Sequence, residues 1–286
     1  MDVSIRDPEA GALAPGLARL RETNMTEAGS RAATFHGWTS MTRESDSASE
    51  NEKPSPPIGP LVDAHPAQRP ERVTLKGRWV TLAPLDAKKH AVSLYDGSNG
   101  EPERERVWTY LFDGPWANLQ DFRAGLEAKA RSDDPLFFAV VDNATGRALG
   151  WQTLMRIDAA NRVVEVGNVM YTPALQRTPG ATEAQYLFAS YVFDTLENRR
   201  YEWKCNALNA PSRRAAERLG FTFEGVFRQH MIVKGRNRDT AWYAMLDSEW
   251  PARKSAFERW LRRDNFDAEG RQKQSLTSLM PRAADA

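Results

Sequence analysis

One cysteine, Cys205, stands in 286 residues. It excludes an intramolecular disulfide and a cysteine-built zinc site, and no metal is expected. Long apolar runs are missing too: nothing approaches the roughly 20 residues of a membrane span. Met1 to Asn24 lacks the apolar stretch of a secretory signal. Charge of one sign is also missing, because the net charge is +1, which argues against bulk nucleic-acid binding. A cytoplasmic protein without membrane or nucleic-acid partners is the resulting expectation.

The first 70 residues have few large apolar side chains. They hold seven Lys+Arg and ten Asp+Glu, a net of −3, which leaves +4 for the remainder. Stretches such as Ser45-Asp46-Ser47-Ala48-Ser49-Glu50 and Pro54-Ser55-Pro56-Pro57 offer too little apolar surface to offset chain entropy. Residues 1–70 therefore read as a disordered extension with one short helix over Gly11–Thr23. Met25 and Met41 leave open a later start of the chain. A mildly basic remainder suits an anionic cofactor, although many domains are basic without one.

What is present begins near Arg72. Val73, Leu75, Trp79, Val80 and Leu82 predict a bent strand with Gly77 at the bend. Pro84 and Asp86 start a helix over Ala87–Tyr95, and Glu103–Phe112 reads as a second. Asn118 followed by Asp121 is an N-cap signature for a third. Phe137–Val141 predicts a strand, and Asp142-Asn143-Ala144-Thr145-Gly146 supplies hairpin-turn chemistry. Arg147–Met155 and Arg162–Tyr171 follow as strands. Thr182-Glu183-Ala184-Gln185 fits a capping box that starts a helix running to about Asn198. Arg200–Ala207 is a strand, and Asn209 caps a helix with Pro211 in its first turn. A hairpin (Phe221–Val233 and Thr240–Leu246) and an amphipathic helix (Trp250–Arg263) close the pattern. The tail beyond Asp264 is polar and expected to fray. This order predicts one mixed α/β domain over 71–263, flanked by 1–70 and 264–286.

Chemistry concentrates between Val163 and Asn198. A loop feeding a helix N-terminus offers unpaired N–H groups and the positive dipole end, the combination that binds phosphate. Gln176-Arg177-Thr178-Pro179-Gly180-Ala181-Thr182 adds a cation, hydroxyls and one glycine. It is neither a Walker A motif nor a dinucleotide fingerprint, and on its residues alone it reads first as an ordinary capped loop and only second as a phosphate site.

Two blocks carry a resemblance. Glu165-Val166-Gly167, Pro173-Ala174-Leu175-Gln176-Arg177-Thr178 and Thr182-Glu183-Ala184 form the first. Asn206-Ala207-Leu208-Asn209-Ala210-Pro211-Ser212-Arg213 with Ala216-Glu217-Arg218-Leu219-Gly220-Phe221 forms the second. Together they resemble the GNAT N-acetyltransferases, nearest the ribosomal-protein N-terminal acetyltransferases of the RimJ/RimL type, over Arg72 to Arg263. The resemblance implies one mixed central sheet with helices on both faces and strands splayed at an acyl-CoA site. It implies acetyl-CoA as co-substrate, its pyrophosphate on the loop from Arg177 to Thr182 and its pantetheine arm between Arg162–Tyr171 and Arg200–Ala207. Asn209 would hydrogen-bond that arm. The family loop has Gly or Ala where Thr182 stands, a departure that bears on affinity.

The implied reaction is direct attack of a primary amine, either a protein N-terminus or a small amine, on the thioester. A non-catalytic acyl-CoA-binding module is the alternative. Glu165 is the candidate base, against a structural carboxylate, and Ser212 the candidate acid, against capping-box duty with Asn209. Cys205 reads as a small buried filler before it reads as a nucleophile. His230 is either a strand residue or part of the acceptor wall. Trp108, Trp116 and Trp151 could wall an acceptor pocket or fill the core. A monomer and a homodimer are both compatible with the sequence.

Overall fold

In the computed structural model, which describes residues 56–281, the chain runs β1 (Leu75–Lys76), β2 (Val80–Pro84), α1 (Ala87–Ser98), α2 (Pro102–Glu105), α3 (Leu119–Arg131), β3 (Leu136–Asp142), β4 (Ala148–Asp158), β5 (Val163–Tyr171), α4 (Pro179–Ser190), β6 (Arg200–Asn206), α5 (Ala210–Arg218), β7 (Thr222–Val233), β8 (Arg236–Leu246), α6 (Trp250–Trp260) and α7 (Leu276–Leu279). The strands form one sheet in the order β1-β2-β3-β4-β5-β6-β8-β7. Only β5 and β6 are parallel neighbours; every other pair is antiparallel. The family architecture expected from the sequence is therefore present.

Strand β3 shows why both faces carry helices. Successive side chains of a strand point to opposite faces. Leu136, Phe138 and Val140 join one core cluster with Phe188 of α4 and Trp250 and Phe257 of α6. Phe137 and Ala139 join the other with Leu94 of α1 and Phe122 and Leu126 of α3. A strand apolar at every position needs cover on both sides, and truncating Phe138 to Ala would cost about 3–5 kcal/mol. Trp108 and Trp151 lie fully inside the second cluster, with ring centroids 5.8 Å apart. Trp108 and Trp151 fill the core, Trp116 packs half-buried beside Phe122, and none of the three lines the cleft between β5 and β6.

Caps follow the sequence in most places. Asp86 accepts from the N–H groups of Lys88 and Lys89, Asn118 from Asp121, and Asn209 from Ser212. Helix α4 departs from expectation. It starts at Pro179, and the cap is Thr178, whose hydroxyl accepts from Ala181 N–H at 3.2 Å. Thr182 lies one turn inside the helix, so the expected Thr182–Gln185 capping box does not form. Gln185 instead donates to Gln152 and Tyr171. Glu183 turns inward and accepts N–H groups of Arg78, Trp79 and Val80 at 2.7, 2.6 and 2.9 Å. Its carboxylate crowds Gly77 so closely that a Cβ there would overlap it, which explains a glycine at this bend.

Three expectations change. Glu103–Phe112 is only the short α2, one further tight turn at Arg106–Trp108, and then irregular chain. The tail from Asp264 does not fray within the described residues: Leu276 is fully buried, and Asn265 bonds the carbonyls of Trp260 and Gln274. At the other end, packing begins before Arg72, since Ala67 is buried and its N–H reaches the Ala159 carbonyl at 2.9 Å. The helix expected at Gly11–Thr23, and most of the 1–70 extension, lie outside the described residues.

Candidate active site

Strands β5 and β6 pair from Val163 with Arg200 to Val166 with Trp203 and then separate. The cause lies on the far edge of β5. Trp151 pairs with Met170 and Thr153 with Gly167, so Asn168 and Val169 together oppose Gln152. That extra residue is a bulge, with Asn168 at φ 45°, and bulges bend the strand that carries them. The bend opens a cleft of about 1190 Å³ between the strands. The Asn168 side-chain oxygen is buried there without a hydrogen-bond partner among the described residues.

One end of the cleft is the start of α4. Gln176, Arg177, Thr178, Pro179, Ala181 and Thr182 all line it. Gly180 does not. A Cβ there would meet Val80 Cγ1 at 2.8 Å, so this glycine serves helix-on-sheet packing and not ligand approach. Gln176 is tied to the Tyr171 carbonyl at 2.8 Å, and Thr178 is occupied by its capping bond. Arg177 is exposed and makes the turn at φ 63°. Arg218 of α5 reaches the same place, donating to Thr182 Oγ1 at 3.1 Å and lying 5.2 Å from the Trp260 ring centroid. It pairs with no carboxylate among the described residues, and burial lowers its pKa. An under-compensated cation at a helix N-terminus fits an anionic group. Arg271 and Gln272 of the folded-back tail complete this wall. Asn209 and Ser212 line the middle, with Trp203 Nε1 donating to Ser212 Oγ at 3.0 Å.

The other end carries a chain of charges. Glu165, 3% exposed, binds Arg156 at 2.6 Å and Lys204 at 3.0 Å, both through Oε2. Oε1 accepts no hydrogen bond among the described residues. Lys204 also pairs with Glu202 at 2.6 Å and lies 3.8 Å from the Trp242 ring centroid. Glu202 continues to Arg200, and Arg200 to Glu224. Cys205 lines the cleft, but burial pushes its thiol up, which disfavours a nucleophilic thiolate. His230 lies outside this cleft, in a shallow depression with Phe227 and Asp239, and its ring bonds Thr240 at 3.0 Å. Burial, then Arg156, Arg238 and Lys204, lower its pKa.

A roof covers the charged end. The segment after α2 contributes Tyr110, Leu111 and Phe112 to the lining. Tyr110 donates to the Leu208 carbonyl at 3.2 Å. Lys234, at the β7–β8 turn, donates to the carbonyls of Trp108, Asp113 and Gly114 at 2.9, 3.0 and 2.8 Å. Sequence reasoning missed Arg218, Lys204, Arg156 and this roof. Arg218 stood inside a quoted block, yet nothing in its spacing showed that it turns toward α4.

Residues 80–222 match the Acetyltransferase (GNAT) domain family, and the chain belongs to that family. A GCN5-related N-acetyltransferase from Brucella melitensis is 53% identical, covering 77% of this chain and 99% of its own, with a TM-score of 0.75. The Bacillus subtilis (strain 168) protein YdaF, whose curated name reads "Putative ribosomal N-acetyltransferase", is 30% identical over 109 residues. That match spans 38% of this chain and 59% of YdaF. A fold-level neighbour, the microcin C7 self-immunity acetyltransferase MccE, was solved with acetyl-CoA and AMP; it is 22% identical, covering 59% of this chain and 93% of its own, with a TM-score of 0.52. Among the described residues no helix is long and apolar enough to cross a membrane.

Proposed function

We propose that this GNAT acetyltransferase moves an acetyl group from acetyl-CoA to a primary amine, a protein N-terminus or a small amine, by direct attack. The carrying observation is the cleft at the β5–β6 splay, with the α4 N-terminus and Arg218 at one end and Glu165 at the other. Acetyl-CoA, when bound, supplies the thioester carbonyl and a thiolate leaving group. The uncommitted N–H groups at the start of α4, with Arg218, hold its phosphates; Pro179 has none, and those of Thr178 and Ala181 already bond the Leu175 carbonyl and the Thr178 hydroxyl. Asn209 and the unpaired stretch of β5 hold its arm and polarise the carbonyl.

Glu165 takes the proton from the incoming ammonium through Oε1, while Arg156 and Lys204 fix Oε2 and so orient the carboxylate. A proton moved by a positioned carboxylate contributes about 10²–10⁴-fold. Ser212, whose oxygen already accepts from Trp203, has its own hydrogen to donate toward the departing sulfur. Its hydroxyl is not spent on capping, because Asn209 does that.

The test is acetyl-CoA-dependent thiol release across amines and short peptides. Release that requires one acceptor class supports the reading. Tight acetyl-CoA binding without release on any acceptor would favour a binding module instead, and absence of both would sink the proposal.

A further inference from the structure

Arg238, on β8, is the outlier of the charge chain. It is 8% exposed and lines the cleft 5.6 Å from the Phe112 ring centroid. Its Nε is buried without a partner, and it forms no ion pair or side-chain hydrogen bond among the described residues. The charged groups around it are all committed or of the same sign. Glu165 is bound to Arg156 and Lys204, Arg156 repels it, and His230 nearby is held toward its neutral form. Among the described residues, Arg156, Lys204 and Arg200 pair with Glu165, Glu202 and Glu224, and Arg238 pairs with none of them. In this charge chain, three carboxylates meet three cations in ion pairs, and Arg238 is left over among the described residues. A buried guanidinium without an anion carries an uncompensated desolvation cost. A bound carboxylate removes it, because the planar fork offers two parallel N–H donors.

Resting on the acetyl-transfer reading above, we propose that Arg238 sets acceptor specificity by binding a carboxylate carried on the same molecule as the reactive amine. The acceptor class is therefore aminocarboxylates: free α-amino acids, or peptides with a carboxylate close to their N-terminus. The ammonium lies against Glu165 Oε1 and the carboxylate against Arg238, beneath the Tyr110–Phe112 roof. A plain polyamine meets the same cation with nothing to offer it.

Matched pairs test this: an α-amino acid against its carboxamide, and Ser-Asp peptides against Ser-Asn peptides. The first pair reports small acceptors and the second peptides. In the wild type kcat/KM should favour the carboxylate partner by on the order of 10- to 100-fold in at least one pair, mostly through KM. Arg238→Gln should abolish the preference, and Arg238→Lys should keep part of it. Thermal shift of the CoA-saturated protein by the same compounds gives a readout independent of turnover, and a wild-type melting curve with CoA shows that each variant folds. Equal rates within every pair, or a preference that survives Arg238→Gln, would overturn the assignment. If nothing is acetylated yet carboxylates alone raise the melting temperature in an Arg238-dependent way, the transfer reading falls and Arg238 stands. Neither turnover nor such a shift would remove both.

Discussion

Arg218→Met separates a ligand-binding cation from a structural one. Its guanidinium gives the folded protein one hydrogen bond to Thr182 and contact with Trp260, while burial opposes its charge. These oppose one another, and methionine keeps much of the packing volume. The ligand-free protein should therefore change by no more than about 1 kcal/mol, or roughly 2–4 °C in Tm for a domain of this size. Loss of a charge-assisted contact to phosphate, about 1.5–3 kcal/mol, should raise the acetyl-CoA Kd on the order of 10- to 100-fold. At a concentration near 100 times the wild-type Kd, ligand stabilises the wild type by about 2.7 kcal/mol. A variant tenfold weaker retains about 1.4 kcal/mol by the same relation. Scanning fluorimetry with and without acetyl-CoA, backed by calorimetric titration, reads both numbers. The ligand-induced rise in Tm should roughly halve while the ligand-free Tm holds. A variant that keeps the full rise would refute the placing of phosphate beside Arg218.

Glu165→Gln should lower kcat/KM by about 10²–10⁴-fold with an acetyl-CoA Kd near that of the wild type; a loss under threefold in steady-state rates would remove Glu165 as base. His90 is buried, and its Nδ1 accepts the Asp86 N–H at 3.1 Å, which needs the neutral ring. Burial lowers its pKa below 6.5, so the unfolded chain binds the proton first, and stability is full above pH 6.5 and falls below it. Urea midpoints at pH 7.5 and 5.5 should show this fall in the wild type and a smaller one in His90→Gln. A chain starting at Pro60 should fold and turn over like the full protein, whereas one starting at Glu71, which loses the Ala67–Ala159 bond and the Asp63–Arg162 pair, should melt lower. Equal melting of the two would show that Asp63 to Pro70 adds nothing.

Sheet and helices were legible because their signals are local. Asn118, Asn209 and Pro211 mark helix starts through chemistry confined to one turn, and β3 is an apolar run of strand length. The α4 cap was misread because Thr182 has Gln185 at capping-box spacing whereas Thr178 has Ala181 there; Glu183, free to act locally, was drawn away by the N–H groups of Arg78 to Val80 across 103 to 105 residues. Gly180 looked like a loop glycine and Gly77 like a strand bend, and both answer to distant side chains. Glu165, Ser212, Asn209 and the α4 loop, singled out from the sequence, all contribute to the lining of the cleft. Its cations were not singled out: Arg156, Lys204, Arg218 and Arg238 acquire meaning from strand register and from what does not face them. The tail past Asp264 looked polar because its burial rests on a few residues, chiefly Asn265 and Leu276.

Among the described residues the strand ladder joining β1–β5 to β6–β8 is four residue pairs long, Val163–Val166 against Arg200–Trp203, extended by the Arg199 and Arg200 N–H bonds to the Arg162 carbonyl. The molecule is in this sense two plates riveted along a short line, and the reaction groove is the continuation of that line past the last rivet. A ligand lying in the groove touches both plates and acts as a splint. Amide hydrogen exchange should then slow on both sides of the seam when ligand binds, including at β6–β8 positions the ligand never reaches.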